Sequence, residues 1–134
     1  MSEWRWLTLA MVEALHHESI ARFGGSDGLR DGGLLESALA RPQNRAAYEE
    51  GVSVFALAAD YCLGIVKNHP FLDGNKRSGI LAAAVFLSMN GFDFRPPETS
   101  IIQVIVGLAA GEIDPDSLAR WFEEFSERRS DEET

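Results

Sequence analysis

Residues 69 to 79 read HPFLDGNKRSG. Within that run His69, Asp73, Asn75, Lys76 and Arg77 bring an imidazole, a carboxylate, a carboxamide and two cations into one short loop. Asp73 is placed to cap a helix whose first positions are Gly74, Asn75 and Lys76, because its side-chain oxygen can accept from an early backbone N–H. Amides in a first turn have no partner inside the helix and carry the positive end of its dipole. With Gly74 leaving the approach clear, they are suited to hold an anion. Lys76 and Arg77 sit in that same turn, where a cation costs about 0.3–1 kcal/mol. A bound phosphate chain reverses the sign and engages the arginine's forked donors. An imidazole titrates near neutrality, so His69 can take a proton from a hydroxyl. Asp73 beside phosphates can hold Mg²⁺, whose octahedral shell suits one carboxylate plus phosphate oxygens. Together the parts describe transfer of a phosphorus-containing group to a hydroxyl. Singly, each has a plainer use: Asp73 as a cap, the cations as solvated charges, His69 as a helix end. Their convergence in one place is what favours a site.

The flanking sequence must supply the frame. Ser53 is placed to cap a helix in which Val54, Phe55, Leu57, Tyr61, Leu63, Ile65 and Val66 cover most of the circumference, the pattern of a buried helix. It ends near Asn68, since Pro70 disfavours the α conformation for His69. After the loop, ILAAAVFLSMNG reads as a second buried helix, stopped by Asn90-Gly91. Phe71 is expected to plug inward and fix the turn. Around this pair, Thr8 caps a helix to about Phe23 with Met11, Val12, Leu15 and Ile20 as its apolar stripe and Gly24-Gly25 as its stop. GGSDGLRDGG is a loop by composition. Gly33 to Ala40 reads as a short helix halted by Arg41-Pro42. Ser100 to Ala110 forms a fifth helix closed by Gly111, and Asp114-Pro115 opens a sixth with Leu118, Trp121, Phe122 and Phe125 at core spacing. The alternating pieces WRWL and FDF suggest one small strand or hairpin. The expected fold class is all-α: one domain over residues 1–134, about six helices around two central buried ones, with 126–134 as a frayed charged tail.

Bulk properties exclude several functions. A net charge of −9 over 134 residues argues against direct binding to nucleic acid or anionic membrane, which need clustered cations. Cys62 is the single cysteine, so neither an internal disulfide nor a cysteine zinc site can form, as suits a reducing cytoplasm. Cys62 lies in an all-apolar helix and reads as inert core. MSEWRWLTLAMVE lacks the basic-then-apolar order of a secretory signal, and Ile80 to Met89 is about half the length a bilayer needs. His16 and His17 are adjacent, point to different parts of a helix surface, and are expected to be solvated rather than joint metal ligands. GGSDGLRDGG has neither dinucleotide spacing nor a Walker lysine.

The string from His69 to Arg77 resembles the signature of the Fic/Doc family: histidine, any residue, phenylalanine, any residue, an acid, glycine or alanine, asparagine, glycine or lysine, arginine. The likeness extends to GLRDGGLLESALARPQ upstream and to the order of helices, and it points to the death-on-curing toxin branch. The resemblance implies that His69 is the base or hydroxyl-positioning group and that Asp73 binds Mg²⁺. It implies that Gly74, Asn75, Lys76 and Arg77 hold the phosphates of ATP, and that Arg30, Asp31 and Arg41 border a substrate groove; a plain structural loop is the alternative for those three. Adenylyl-transferring members carry glycine at the position of Lys76 and a second arginine where this chain has Ile80. With lysine in the nest and no second arginine, the nucleotide is expected to bind reversed and present its γ-phosphate. The implied activity is a protein kinase acting on a threonine of translation elongation factor Tu, with adenylyl transfer, or an inactive binding module, as the alternatives. The family's built-in inhibitory helix needs a glutamate four residues after a serine or threonine, followed by glycine or asparagine. Here Ser26, Ser37, Thr99 and Ser117 reach Arg30, Arg41, Gln103 and Trp121. Inhibition is therefore expected from a separate antitoxin whose disordered C-terminal segment folds into a groove.

Overall fold

A computed structural model describes residues 3–130. In chain order it contains α1 (Leu9–Phe23), α2 (Gly32–Tyr48), α3 (Val54–Asn68), α4 (Asn75–Met89), β1 (Phe92–Phe94), α5 (Glu98–Ala110), α6 (Pro115–Glu124) and β2 (Ser126–Arg128). The expected all-α class is borne out, with one two-stranded antiparallel sheet beside the helices. Helix starts follow local chemistry: Thr8, Ser53 and Asp114 each accept a hydrogen bond from the third residue of the helix they open, satisfying an otherwise orphaned donor.

The antiparallel pair α3 and α4 forms the centre. Leu57, Ala58, Tyr61, Cys62 and Ile65 of α3 and Ala82, Ala83, Phe86 and Leu87 of α4 are fully buried. Two glycines set how closely the layers approach. A Cβ on Gly79 of α4 would lie 2.9 Å from the Cys62 carbonyl oxygen, and one on Gly64 of α3 would lie 3.3 Å from the Ala38 carbonyl oxygen of α2. Burial pushes the Cys62 thiol up to about 12, which keeps it protonated and inert as expected. The Tyr61 hydroxyl accepts from the Leu7 amide at 3.1 Å. Burial, opposed by that bond, pushes its phenol up to about 12. Among the described residues no helix is long and apolar enough to cross a membrane.

Three sequence expectations are corrected. The second helix does not stop at Arg41-Pro42 but runs through Pro42 to Tyr48. An interior proline costs about 3 kcal/mol; here Leu35, Ala38, Leu39 and Pro42 form the buried face of α2, and that burial outweighs it. Beyond the proline, Arg45 donates to Asp60 of α3 at 3.0 Å, which secures the continued helix. WRWL is not a strand. Leu7 is buried and Trp6 stacks on Phe86 with centroids 5.7 Å apart, so the segment is core lining. FDF does form β1, but its partner is β2, with Phe92 opposite Arg128 and Phe94 opposite Ser126. The segment expected to fray therefore begins as a strand, held by Arg129, which donates to Asp93 at 2.7 Å. Residues 131–134 lie outside the described residues.

Gly→Ala in a helix ordinarily stabilises by about 0.4–1 kcal/mol through the unfolded chain. At position 79 the new methyl meets a backbone oxygen that cannot swing away, so Gly79→Ala is expected to destabilise by about 1–3 kcal/mol. The urea midpoint measures it, and a gain in stability would show that the α3–α4 spacing is not set there.

Candidate active site

The loop joining α3 to α4 is a rigid elbow at one end of the central pair. At its start His69 is the C-cap of α3 with φ 53° and ψ 53°, the left-handed region, and among the described residues no other non-glycine has positive φ. Such a conformation costs about 1–3 kcal/mol and persists only when its surroundings impose it. Pro70 closes the α route. Arg30 supplies the restraint by donating from Nε to the His69 carbonyl at 2.7 Å and from Nη2 to the Asn68 carbonyl at 3.0 Å, a cation on the negative end of α3. The segment around Gly28 runs alongside: the Arg30 and Asp31 amides donate to the Pro70 carbonyl at 2.6 and 3.0 Å, and the Leu72 amide donates to that of Gly28 at 3.0 Å. Asp31 itself caps α2 through the Leu34 amide. Arg30 and Asp31 thus serve as braces of the elbow, while Arg41 is exposed on α2.

Phe71 is buried, as expected, and His16 of α1 lies flat on it, with centroids 3.8 Å apart and planes within 5°. The His16 ring is itself buried, and its Nε2 meets the Asp73 carbonyl oxygen at 2.7 Å. A carbonyl can only accept, so Nε2 carries the proton. The expectation of two solvated histidines is corrected: His17 is exposed beside Asp27, but His16 is a core residue. The signal is present in the sequence, since His16 follows Val12 by four residues and precedes Ile20 by four, on the buried face of α1.

Asp73 is not the cap of α4, which is the second correction at this elbow. Gly74 takes that position, at φ 73° and ψ 22°, and no side chain caps the helix. The positive φ is what favours glycine there, and a Cβ at Gly74 would also crowd the tip of Ile20, 3.2 Å away. The Asp73 carboxylate instead accepts from the Gly74 amide at 2.8 Å and, across the loop, from the Ser26 amide at 3.2 Å. Those bonds to Ser26 and Gly74, with help from Lys76 and Arg77, hold its carboxyl below the usual range, and it is exposed. Gly25 clears the way, since a Cβ there would fall 2.7 Å from Asp73 Oδ2. The first intrahelical bond of α4 runs from the Ser78 amide to the Gly74 carbonyl, so the Asn75, Lys76 and Arg77 amides open the helix without side-chain partners.

Asn75 is buried, and its carboxamide works inside the loop. Oδ1 accepts from the Phe71 amide at 3.0 Å; Nδ2 donates to the Phe71 carbonyl at 3.0 Å and faces His69 Nδ1 at 3.1 Å. What Asn75 can offer an anion is its backbone amide. Lys76 and Arg77 are half-buried, and the Arg77 guanidinium lies 4.4 Å over the ring of Phe23, a cation–π contact that fixes its direction. His69, Asp73, Gly74, Asn75, Lys76 and Arg77 therefore share one elbow, with an exposed imidazole, an exposed ionised carboxylate, two cations and three open amides.

Removing the His16 ring strands a buried carbonyl and opens a cavity against Phe71. His16→Ala is expected to cost about 2–4 kcal/mol in denaturant unfolding. His16→Gln, whose amide can reach Asp73, should recover part of that loss. Equal melting of all three proteins would mean the contact contributes nothing to stability.

Residues 6–87 match the model of the Fic/DOC family. The protein kinase doc of Escherichia phage P1 is 40% identical over 107 residues, covering 79% of this chain and 83% of the phage protein. The toxin Doc of Mycolicibacterium smegmatis is 36% identical over 124 residues, covering 81% and 90%. A helix N-terminus left open beside a histidine elbow, and sequence kinship over most of its length, agree on one assignment: the chain belongs to the Fic/DOC family.

Proposed function

We propose that this chain is the toxin of a bacterial toxin–antitoxin module and acts in the cytoplasm as a protein kinase. It transfers the γ-phosphate of ATP to a threonine hydroxyl of translation elongation factor Tu and so arrests translation. The observation that carries the proposal is the uncapped start of α4, where no side chain competes for the first-turn amides and Lys76 and Arg77 stand beside them. Ordinary sequences place an acid at such a start; two cations there oppose the dipole, and a bound anion would reverse that cost. Lys76, and Ile80 in place of a second arginine, favour γ-phosphoryl over adenylyl transfer, in keeping with the name of the phage relative.

In this reading the Asn75, Lys76 and Arg77 amides and the two cationic side chains bind the triphosphate, and His69 holds the acceptor hydroxyl in line with it. Asp73, exposed and ionised, suits Mg²⁺ as the single carboxylate that such a phosphate-bound ion needs. When bound, the ion would neutralise charge building on the transferred group. Exposed Leu29 and Leu72, flanking the elbow at 39% and 52% accessibility, suit an acceptor that is a folded protein rather than a small molecule. The partner that restrains the toxin is a separate antitoxin.

Incubation with elongation factor Tu and ATP labelled at the α or the γ phosphate tests the reading. Label in the factor from γ alone is expected; label from α alone would establish adenylyl transfer. His69→Ala is expected to lower transfer by about 10²–10⁴-fold and to abolish growth arrest on expression without antitoxin. Undiminished arrest would leave only a binding module. Arg77→Ala, losing charge-assisted bonds of about 1.5–3 kcal/mol, should weaken ATP binding by roughly ten- to a hundredfold.

A further inference from the structure

Arg77 carries its charge where the fold opposes it. It lies in the first turn of α4, at the positive end of that helix's dipole. Asp73 is near enough to feel the charge, yet among the described residues no hydrogen bond or ion pair engages the guanidinium. What it meets instead is the ring of Phe23, the last residue of α1, 4.4 Å away. Phe23 is equally out of place, 62% exposed and outside the hydrophobic core. A phenyl ring left in solvent against a cation that has no acceptor adds little to folding and points to a use in binding. The end of α1 is also tied to the elbow: the Ser26 amide donates to the Asp73 carboxylate at 3.2 Å, and His16 Nε2 meets the Asp73 carbonyl at 2.7 Å. Ring and guanidinium therefore keep their relation to the open amides.

The pair suits an anion. A ring face attracts a cation through its quadrupole, and it can take the flat side of a guanidinium while the N–H donors, which lie in the guanidinium plane, stay open at the edge. An ammonium has no such division between face and edge. Held in this way, an arginine has already given up much of the rotamer freedom that binding would remove, and its fork stays available for two phosphate oxygens. We propose that Phe23 is a positioning residue for the phosphate site, holding the Arg77 guanidinium against its ring so that the donor edge is presented to the polyphosphate of the nucleotide. The proposal rests on the reading of the elbow as an ATP site and asks nothing of the transfer step. Phe23 itself touches neither phosphate nor base.

Two measurements test it. In protein labelled at arginine, without ligand, the Arg77 δ-methylene and Nε–H protons are expected upfield of those of other exposed arginines, because they lie over a ring. Phe23→Leu should return them to the ordinary range. Ordinary shifts in the parent overturn the inference whether or not the variant folds. Equilibrium binding of inorganic triphosphate and of ATP, each with Mg²⁺, reads the consequence. Phe23→Leu is expected to weaken both by the same factor, about two- to tenfold, while Phe23→Trp, with the stronger ring, should bind at least as tightly as the parent. In an Arg77→Ala background Phe23→Leu should change neither affinity, since the ring acts through the guanidinium. A loss confined to ATP would mean that the ring meets the base. A loss that persists without Arg77 would mean a purely structural role, and undiminished binding in Phe23→Leu would mean no role. Each of these three overturns the inference and leaves the kinase reading intact. A parent that binds both ligands but transfers no phosphate counts against the kinase reading alone, and a parent that binds neither removes both.

Discussion

The close contact of α3 with α4 is the constraint on which the rest depends. Where Gly79 passes the Cys62 carbonyl there is no room for a methyl group. The elbow between α3, ending at Asn68, and α4, starting at Asn75, is short. Within it His69 and Gly74 both take the left-handed conformation, one closing α3 and the other opening α4. Strain of this kind is stable only when several neighbours agree on it. Here Arg30 binds the carbonyl of His69, Asn75 binds both the amide and the carbonyl of Phe71, and His16 lies on the Phe71 ring.

The bracing has a division of labour. His16 on α1 and Asn75 at the start of α4 hold the elbow through buried contacts, and the exposed Arg30 before α2 holds it from the surface. On the outer side lie the exposed His69 ring and Asp73 carboxylate, the half-buried Lys76 and Arg77, and the first-turn amides of α4, which no side chain caps. Asp73 illustrates this. Because Gly74 serves as the cap, the carboxylate is released from the helix and ties the elbow to Ser26 instead, while the dipole end of α4 stays uncovered. A conventional Asp cap would have occupied the very amides that suit a phosphate.

Much of this is legible along the chain. The helix-opening residues Thr8, Ser53 and Asp114 act on amides three residues away, so their meaning is local and survives without tertiary knowledge. The burial of α3 and α4 follows from apolar residues all round each helix, and the chemistry of the elbow follows from residue types packed into one short run. Pro42, His16 and the segment from Ser126 to Arg128 defeat a local reading for a common reason. In each case a local preference, the breaking of a helix, the solvation of a histidine, the fraying of a charged tail, is overruled by a partner far away in sequence: α3, Phe71 and Asp73, and β1 respectively. Burial of several side chains outweighs a local cost of about 3 kcal/mol.

The amino-acid order alone determined that two apolar helices flank a histidine, an acid and paired cations, because periodicity, caps and residue chemistry are properties of neighbouring positions. Only the folded chain decided how those groups are used. That Asn75 faces inward to hold His69, that Gly74 displaces Asp73 from the cap, and that Arg30 and His16 brace the turn are matters of tertiary geometry. The bracing distances exist only once α1, α2 and α3 have packed, since a hydrogen bond across the fold requires its two ends to be brought together by burial that neither end encodes.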